Sequence, residues 1–186
     1  MLIFIKMRKE IFQEIEIPEG IEVKLDGEKL IVKGPEGENK REFNLRGIEF
    51  SLKDNKITLG NKKATKMDKK MINTTTAHIK NMIKGVQEKF EYKLKAVFSH
   101  FPITIEIQGN KAIIKNFLGE KVPRECGLPE GAEVKVDKNE IIITSIDKEA
   151  AGQAAANLER VTKIRNKDKR VFQDGIYMIT KAGREI

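Results

Sequence analysis

Tryptophan is absent from this 186-residue chain, cysteine occurs once and histidine twice. A single cysteine, Cys126, excludes an internal disulfide and a cysteine-based zinc site. Together with only His78 and His100 it leaves little from which to build a metal centre, and the chain reads as cytosolic. Long apolar runs are missing as well, so no membrane partner is expected. The opening Met1-Leu2-Ile3-Phe4-Ile5 is short, and Lys6, Arg8 and Lys9 follow it rather than precede it. A secretory signal has the reverse order. No glycine-rich run has the spacing of a nucleotide-phosphate cradle, and no cofactor is expected. We read translation as starting at Met7, with the first six residues outside the native protein. N-terminal sequencing is expected to begin at Met7, and a peptide starting at Met1 would overturn that.

Positive charge is plentiful and unevenly placed. The net charge is +8. Residues 61–99 hold ten lysines against three acids, and residues 160–186 hold eight Lys/Arg against three acids. These blocks carry +7 and +5, which leaves −4 for the rest of the chain. Segregation of this kind marks a surface that neutralises phosphates. The densest stretch runs from Lys163 through Arg165, Lys167, Lys169 and Arg170 to Phe172, a turn at Gly175 and Tyr177, with Lys181 and Arg184 beyond. It follows a segment in which Gly152 and several alanines would let a helix pack closely.

An internal repeat sets the architecture. Ile21 to Gly34 aligns with Ile103 to Asn116 at an offset of 82, and Ile48 to Leu59 aligns with Ala132 to Ile143 at an offset of 84. Two extra residues in one intervening loop account for the change, and a tandem duplication follows. Within each copy, apolar residues alternate. Ile21, Val23 and Leu25 lead through Asp26-Gly27 to Leu30 and Val32, and Ile103, Ile105 and Ile107 lead through Gly109-Asn110 to Ala112 and Ile114. Both read as hairpins. A second hairpin turns at Asp54-Asn55 in one copy and near Lys138-Asn139 in the other. One strand precedes each repeat, over 11–17 and 90–98.

A helix closes each copy. The first places Met67, Met71, Thr75, Ile79, Met82 and Val86 one turn apart, with Gly85 as its stop. The second starts at the N-cap Asp147 and aligns Ala151, Ala154, Leu158 and Val161. The fold class is therefore α+β, with two tandemly duplicated domains, 1–84 and 85–186. Each is an antiparallel sheet with one helix packed on a face, and the second carries a basic tail.

Several segments resemble one family. Asn73-Thr74-Thr75-Thr76-Ala77-His78-Ile79-Lys80-Asn81-Met82-Ile83-Lys84-Gly85-Val86 looks like the end of the first domain of large-subunit ribosomal protein six, in its archaeal and eukaryotic branch. His100-Phe101-Pro102-Ile103, Asn116 to Lys121, Gly34-Pro35-x-Gly37 and the run from Asn166 through Asp174-Gly175-Ile176-Tyr177 are similar to its other signatures. The resemblance implies a structural component of the large ribosomal subunit that binds large-subunit rRNA. It also implies a position near the sarcin–ricin loop and stalk base, with neighbouring ribosomal proteins and, transiently, translation factors as partners.

Folded RNA offers dense phosphate and few readable edges, which favours charge and shape over base contacts. The expected rRNA-binding residues are Lys163, Arg165, Lys167, Lys169, Arg170, Tyr177, Lys181 and Arg184. Phe172 suits the core, and Asp174 suits a turn cap. The lysines at 62, 63, 66, 69, 70 and 80 decorate the first helix as a solvated face or a second contact. An enzyme would need Cys126, Ser99, Ser145 or Thr74–Thr76 as nucleophile and His78 or His100 as base. No activating neighbour in the sequence supports that, and both histidines read as structural.

Overall fold

The computed structural model describes residues 9–45, 47–53 and 55–186. The expected start at Met7 and the turn residue Asp54 lie outside them. In chain order the first half contains β1 (Lys9–Glu16), β2 (Glu22–Asp26), β3 (Lys29–Gly34), β4 (Gly37–Glu42), β5 (Glu49–Lys53), β6 (Lys56–Ala64) and α1 (Lys66–Gln87). The second half contains β7 (Phe90–Val97), β8 (Thr104–Gln108), β9 (Lys111–Lys115), β10 (Arg124–Gly127), β11 (Glu133–Asp137), β12 (Glu140–Ser145), α2 (Lys148–Val161), β13 (Gly175–Lys181) and β14 (Arg184–Glu185).

Connectivity makes the duplication explicit. In the first unit the sheets run β2-β3-β4 and β1-β6-β5, and in the second β8-β9-β10 and β11-β12-β7-β13-β14. Strands β7 to β12 thus repeat β1 to β6 pair for pair, and every pairing is antiparallel. Each copy divides its strands over two sheets, and its helix touches both. Beyond the repeat, the second copy goes on after α2: the chain returns to lay β13 along β7, and β14 pairs with β13.

Local chemistry accounts for most elements. Strand β7 alternates cleanly, with Phe90, Tyr92, Leu94 and Ala96 buried and the residues between them exposed. Glycine opens both first hairpins at positive φ, Gly27 at 61° and Gly109 at 57°. In the first copy the turn residues are Gly27 and Glu28, one position later than expected, because Asp26 already pairs with Lys29. Helix α1 begins with a reciprocal cap: the Thr65 N–H donates to the Asp68 carboxylate at 2.8 Å, and the Asp68 N–H donates to Thr65 Oγ1 at 3.3 Å. Asp147 caps α2 as expected, accepting from the Glu149 N–H at 2.9 Å. Below it Ala151, Ala154, Ala155 and Leu158 are buried.

The buried stripe of α1 differs from the expected one. It runs Ile72, Thr75, Thr76, Ile79, Met82, Ile83 and Val86, while Met67 and Met71 are 65% and 40% exposed. An apolar stripe aimed at the sheets starts at Ile72, and the first two turns project Met67 and Met71 outward. Gly85 does not stop the helix: it is buried inside it, and the helix runs on to Gln87. The chain accordingly divides between Glu88 and Lys89, just past the expected boundary at 84/85. Gly34 explains how α1 approaches β3, since a Cβ there would lie 2.8 Å from the Val86 carbonyl oxygen. That same oxygen accepts from the Glu36 N–H at 3.0 Å.

The face assignment is testable by urea unfolding. Ile79→Ala is expected to cost about 2–5 kcal/mol, whereas Met67→Ala is expected to change stability by less than about 0.5 kcal/mol.

Candidate nucleic-acid interface

The segment without a counterpart in the first copy opens with a cation-rich loop. Between α2 and β13 the chain makes a loop, 162–174, and its two ends are clasped together. The Thr162 hydroxyl donates to the carbonyl oxygens of Leu158 and Glu159, at 3.3 and 3.2 Å, and accepts from the Ile176 N–H at 3.0 Å. Thr162 thus ends α2 and starts β13 with one side chain. Arg124, on β10, braces the same point. Its guanidinium donates to the Val161 carbonyl at 2.8 Å, forks onto Glu120 at 2.7 and 2.5 Å, and lies 4.4 Å from the Phe117 ring centroid. That fork holds the Glu120 carboxyl below the usual carboxylate range.

The far end of the loop is fixed by Asp174. Its side chain is 1% exposed. The carboxylate accepts four hydrogen bonds: from the Ser99 N–H at 3.1 Å, the Ser99 hydroxyl at 3.0 Å, the His100 N–H at 3.2 Å and His100 Nδ1 at 3.0 Å. Burial alone would raise its pKa, but the donors from His100 and Ser99 outweigh burial and hold it below the ordinary value. Asp174 is therefore a cap, for a turn seventy-five residues earlier rather than for its own. The His100 ring stacks on Phe172 at 5.0 Å, and Lys167 Nζ sits 4.6 Å from the Phe172 centroid. Phe172 is half-buried against the core.

This Ser99–His100–Asp174 cluster is not a catalytic triad. Ser99 Oγ and the Asp174 carboxylate both approach His100 Nδ1, at 3.1 and 3.0 Å. A relay needs the carboxylate and the nucleophile on opposite ring nitrogens. Of the other candidate nucleophiles, Thr75 and Thr76 are buried in α1. The Ser145 hydroxyl donates to the Gly131 carbonyl, the Thr74 hydroxyl donates to the Lys70 carbonyl, and burial pushes the Cys126 thiol up.

Between its anchors the loop displays Lys163, Arg165, Lys167, Lys169 and Arg170, all exposed. Asp168 organises its tip. Its carboxylate accepts from the Arg170 N–H at 3.0 Å and from Arg170 Nε at 3.3 Å, which keeps Asp168 below the usual carboxylate range. Arg170 is tethered yet 91% exposed, so its guanidinium keeps free donors facing solvent.

Tyr177, expected among the rRNA-binding residues, lies on β13. The strand is not a tail at all: it is bonded to the central strand β7. Nor is Gly175 a turn. Its buried backbone makes room for the Tyr177 ring, since a Cβ there would come within 3.2 Å of a ring carbon. The Tyr177 hydroxyl donates to the Gln173 carbonyl at 2.9 Å, which fixes the ring beside the loop. Lys181 and Arg184 fall elsewhere. They sit at the opposite end of β13, about 20 Å from Gly175 at about 3.3 Å per residue. A register shift between Met178 and Thr180 also puts Lys181 opposite buried Tyr92, whereas Tyr177 faces exposed Lys95. The structure thus gathers six of the eight expected residues around the loop and separates two.

Comparison with known proteins decides the family. The family model described as Ribosomal protein L6 matches residues 17–89 and again 101–175, once per copy. The chain belongs to the ribosomal protein L6 family. Among its relatives is the large ribosomal subunit protein uL6 of Methanobrevibacter smithii, 48% identical over 169 residues, which span 91% of this chain and 95% of that protein. The uL6 proteins of Methanothrix thermoacetophila and Methanosarcina mazei are each 43% identical, covering 94% and 95% of this chain and 99% and 100% of their own. The second family match ends at Gly175, so it includes the whole basic loop and its Asp174 anchor.

Sequence reasoning missed Thr162 and Arg124 and weighed Ser99 only as a nucleophile, because the partners Ile176, Val161 and Asp174 are remote in sequence. The Asp174 anchor is expected to show in stability against pH. Its depressed pKa means that the unfolded chain binds the proton more readily, so the contribution is full above the unfolded value, near 4, and fades as pH falls below it. Asp174→Asn is expected to lower stability at pH 7 and to flatten the difference between pH 7 and pH 3 relative to the wild type, read from urea midpoints.

Proposed function

We propose that this chain is a structural protein of the large ribosomal subunit in the cytoplasmic ribosome, attached to large-subunit rRNA mainly through the loop between α2 and β13. It binds RNA and assembles among neighbouring ribosomal proteins; it catalyses nothing. The observation that carries the RNA contact is the coincidence of two facts. The loop belongs to the segment that the second copy has beyond the repeat, and it concentrates five exposed cations on a clasped backbone. Arg165 and Arg170 can fork onto phosphate oxygens, while the lysines act as point charges. Lys181 and Arg184, one strand length away, would meet a second stretch of RNA backbone. Its place in the subunit, by family likeness, is near the sarcin–ricin loop and the stalk base, where translation factors would touch it transiently.

The lysines of the first unit, at 62, 63, 66, 69, 70 and 80, are all exposed but sit on α1 and the end of β6 with no comparable clasp. They serve as a solvated face. Titration of the full chain with large-subunit rRNA across salt concentrations tests this reading. Five phosphate contacts predict a slope of log affinity against log salt of roughly −3.5 to −4.5. Replacing the five loop cations by Gln is expected to flatten that slope by most of its value. An unchanged slope, or a slope lost only when the α1 lysines are replaced, would move the contact elsewhere.

A further inference from the structure

Beside the loop the second unit has an open groove of about 450 Å³, between the C-terminal turns of α2 and strand β13. Ile164 and Ile176 give it an apolar floor, the half-exposed Tyr177 ring forms one wall, and Arg160, Lys163 and Lys169 stand around it. Glu159 is its one carboxylate, so the lining is net cationic. The volume falls in the range of about 300–1,000 Å³ typical of small-ligand sites. Among the described residues β14 pairs only with Thr180 and Lys181, so no strand covers β13 from Gly175 to Met178, where the Ile176 N–H is taken by Thr162.

We propose that this groove receives one unpaired nucleotide of the bound RNA, its base stacked against Tyr177 over the Ile164–Ile176 floor and its phosphate held by Lys163 and Lys169. This rests on the rRNA reading and goes further, since backbone contact alone needs no groove. Three features favour a nucleotide over a free anion or an apolar ligand. Cations and apolar surface lie within one cavity, which matches a phosphate joined to a base. The Tyr177 ring is already immobilised by its hydrogen bond to Gln173 and by its contact with Gly175, so stacking entails little further ordering. Single-stranded loops are also where proteins find splayed bases at low cost.

The test is chemical probing of base edges and backbone in large-subunit rRNA bound by the full chain, comparing wild type with Ala156→Leu, which fills the groove from α2 with a good helix former. Tyr177→Ala and Tyr177→Phe complete the set, and circular dichroism confirms that each variant folds. The expected result is one unpaired base protected by wild type and Tyr177→Phe but exposed again in Ala156→Leu and Tyr177→Ala, with backbone protections retained. Affinity should fall about five- to a hundredfold with the salt slope unchanged. If Ala156→Leu and Tyr177→Ala protect the same bases as wild type with unaltered affinity, the groove is empty in the complex and the inference fails while the rRNA reading stands. If wild type protects no RNA at all, the rRNA reading itself fails.

Discussion

Asp174 keeps an ionised carboxylate almost wholly out of water, and it does so because four donors from Ser99 and His100 converge on it. A buried charge without such donors would be costly. The pairing therefore fixes where the chain after α2 must return: against the end of β7, in position to enter the sheet as β13. The Thr162 clasp sets the other end of the same excursion. A loop dense in like charges would otherwise spread out under its own repulsion. Here both ends are pinned, and the cations are displayed on a backbone of defined shape.

Duplication supplies the frame, and the added segment of the second copy supplies the candidate site. Six strands and a helix recur in the same pairing order in both copies. What differs in the second copy is added at its edge: a loop, two more strands and a groove.

Much of this was legible in the sequence. Alternation at Ile21–Val32, Ile103–Ile114 and Phe90–Phe98 specified strands because each is wet on one side. Strands β4 and β10 were not legible: Gly-Glu-Asn-Lys-Arg-Glu and Arg-Glu-Cys-Gly offer no apolar period, and neighbouring strands impose their pairing. Glycine misled twice in the same way. Gly85 and Gly175 read as punctuation, yet Gly85 is buried within α1 and Gly175 makes room for a ring, a role that depends on a partner in space. Within the candidate site the cations themselves were readable and their anchors were not, since Asp174 and Ser99 meet across 75 residues. The separation of Lys181 and Arg184 was equally hidden, because a strand carries residues apart that the sequence shows as near neighbours.

Ultraviolet crosslinking of intact large subunits, with crosslinked peptides mapped by mass spectrometry, would test the central claim most directly. RNA adducts should concentrate on residues 163–177 and be sparse on the exposed lysines of α1. Adducts confined to α1, with residues 163–177 unmodified, would contradict it.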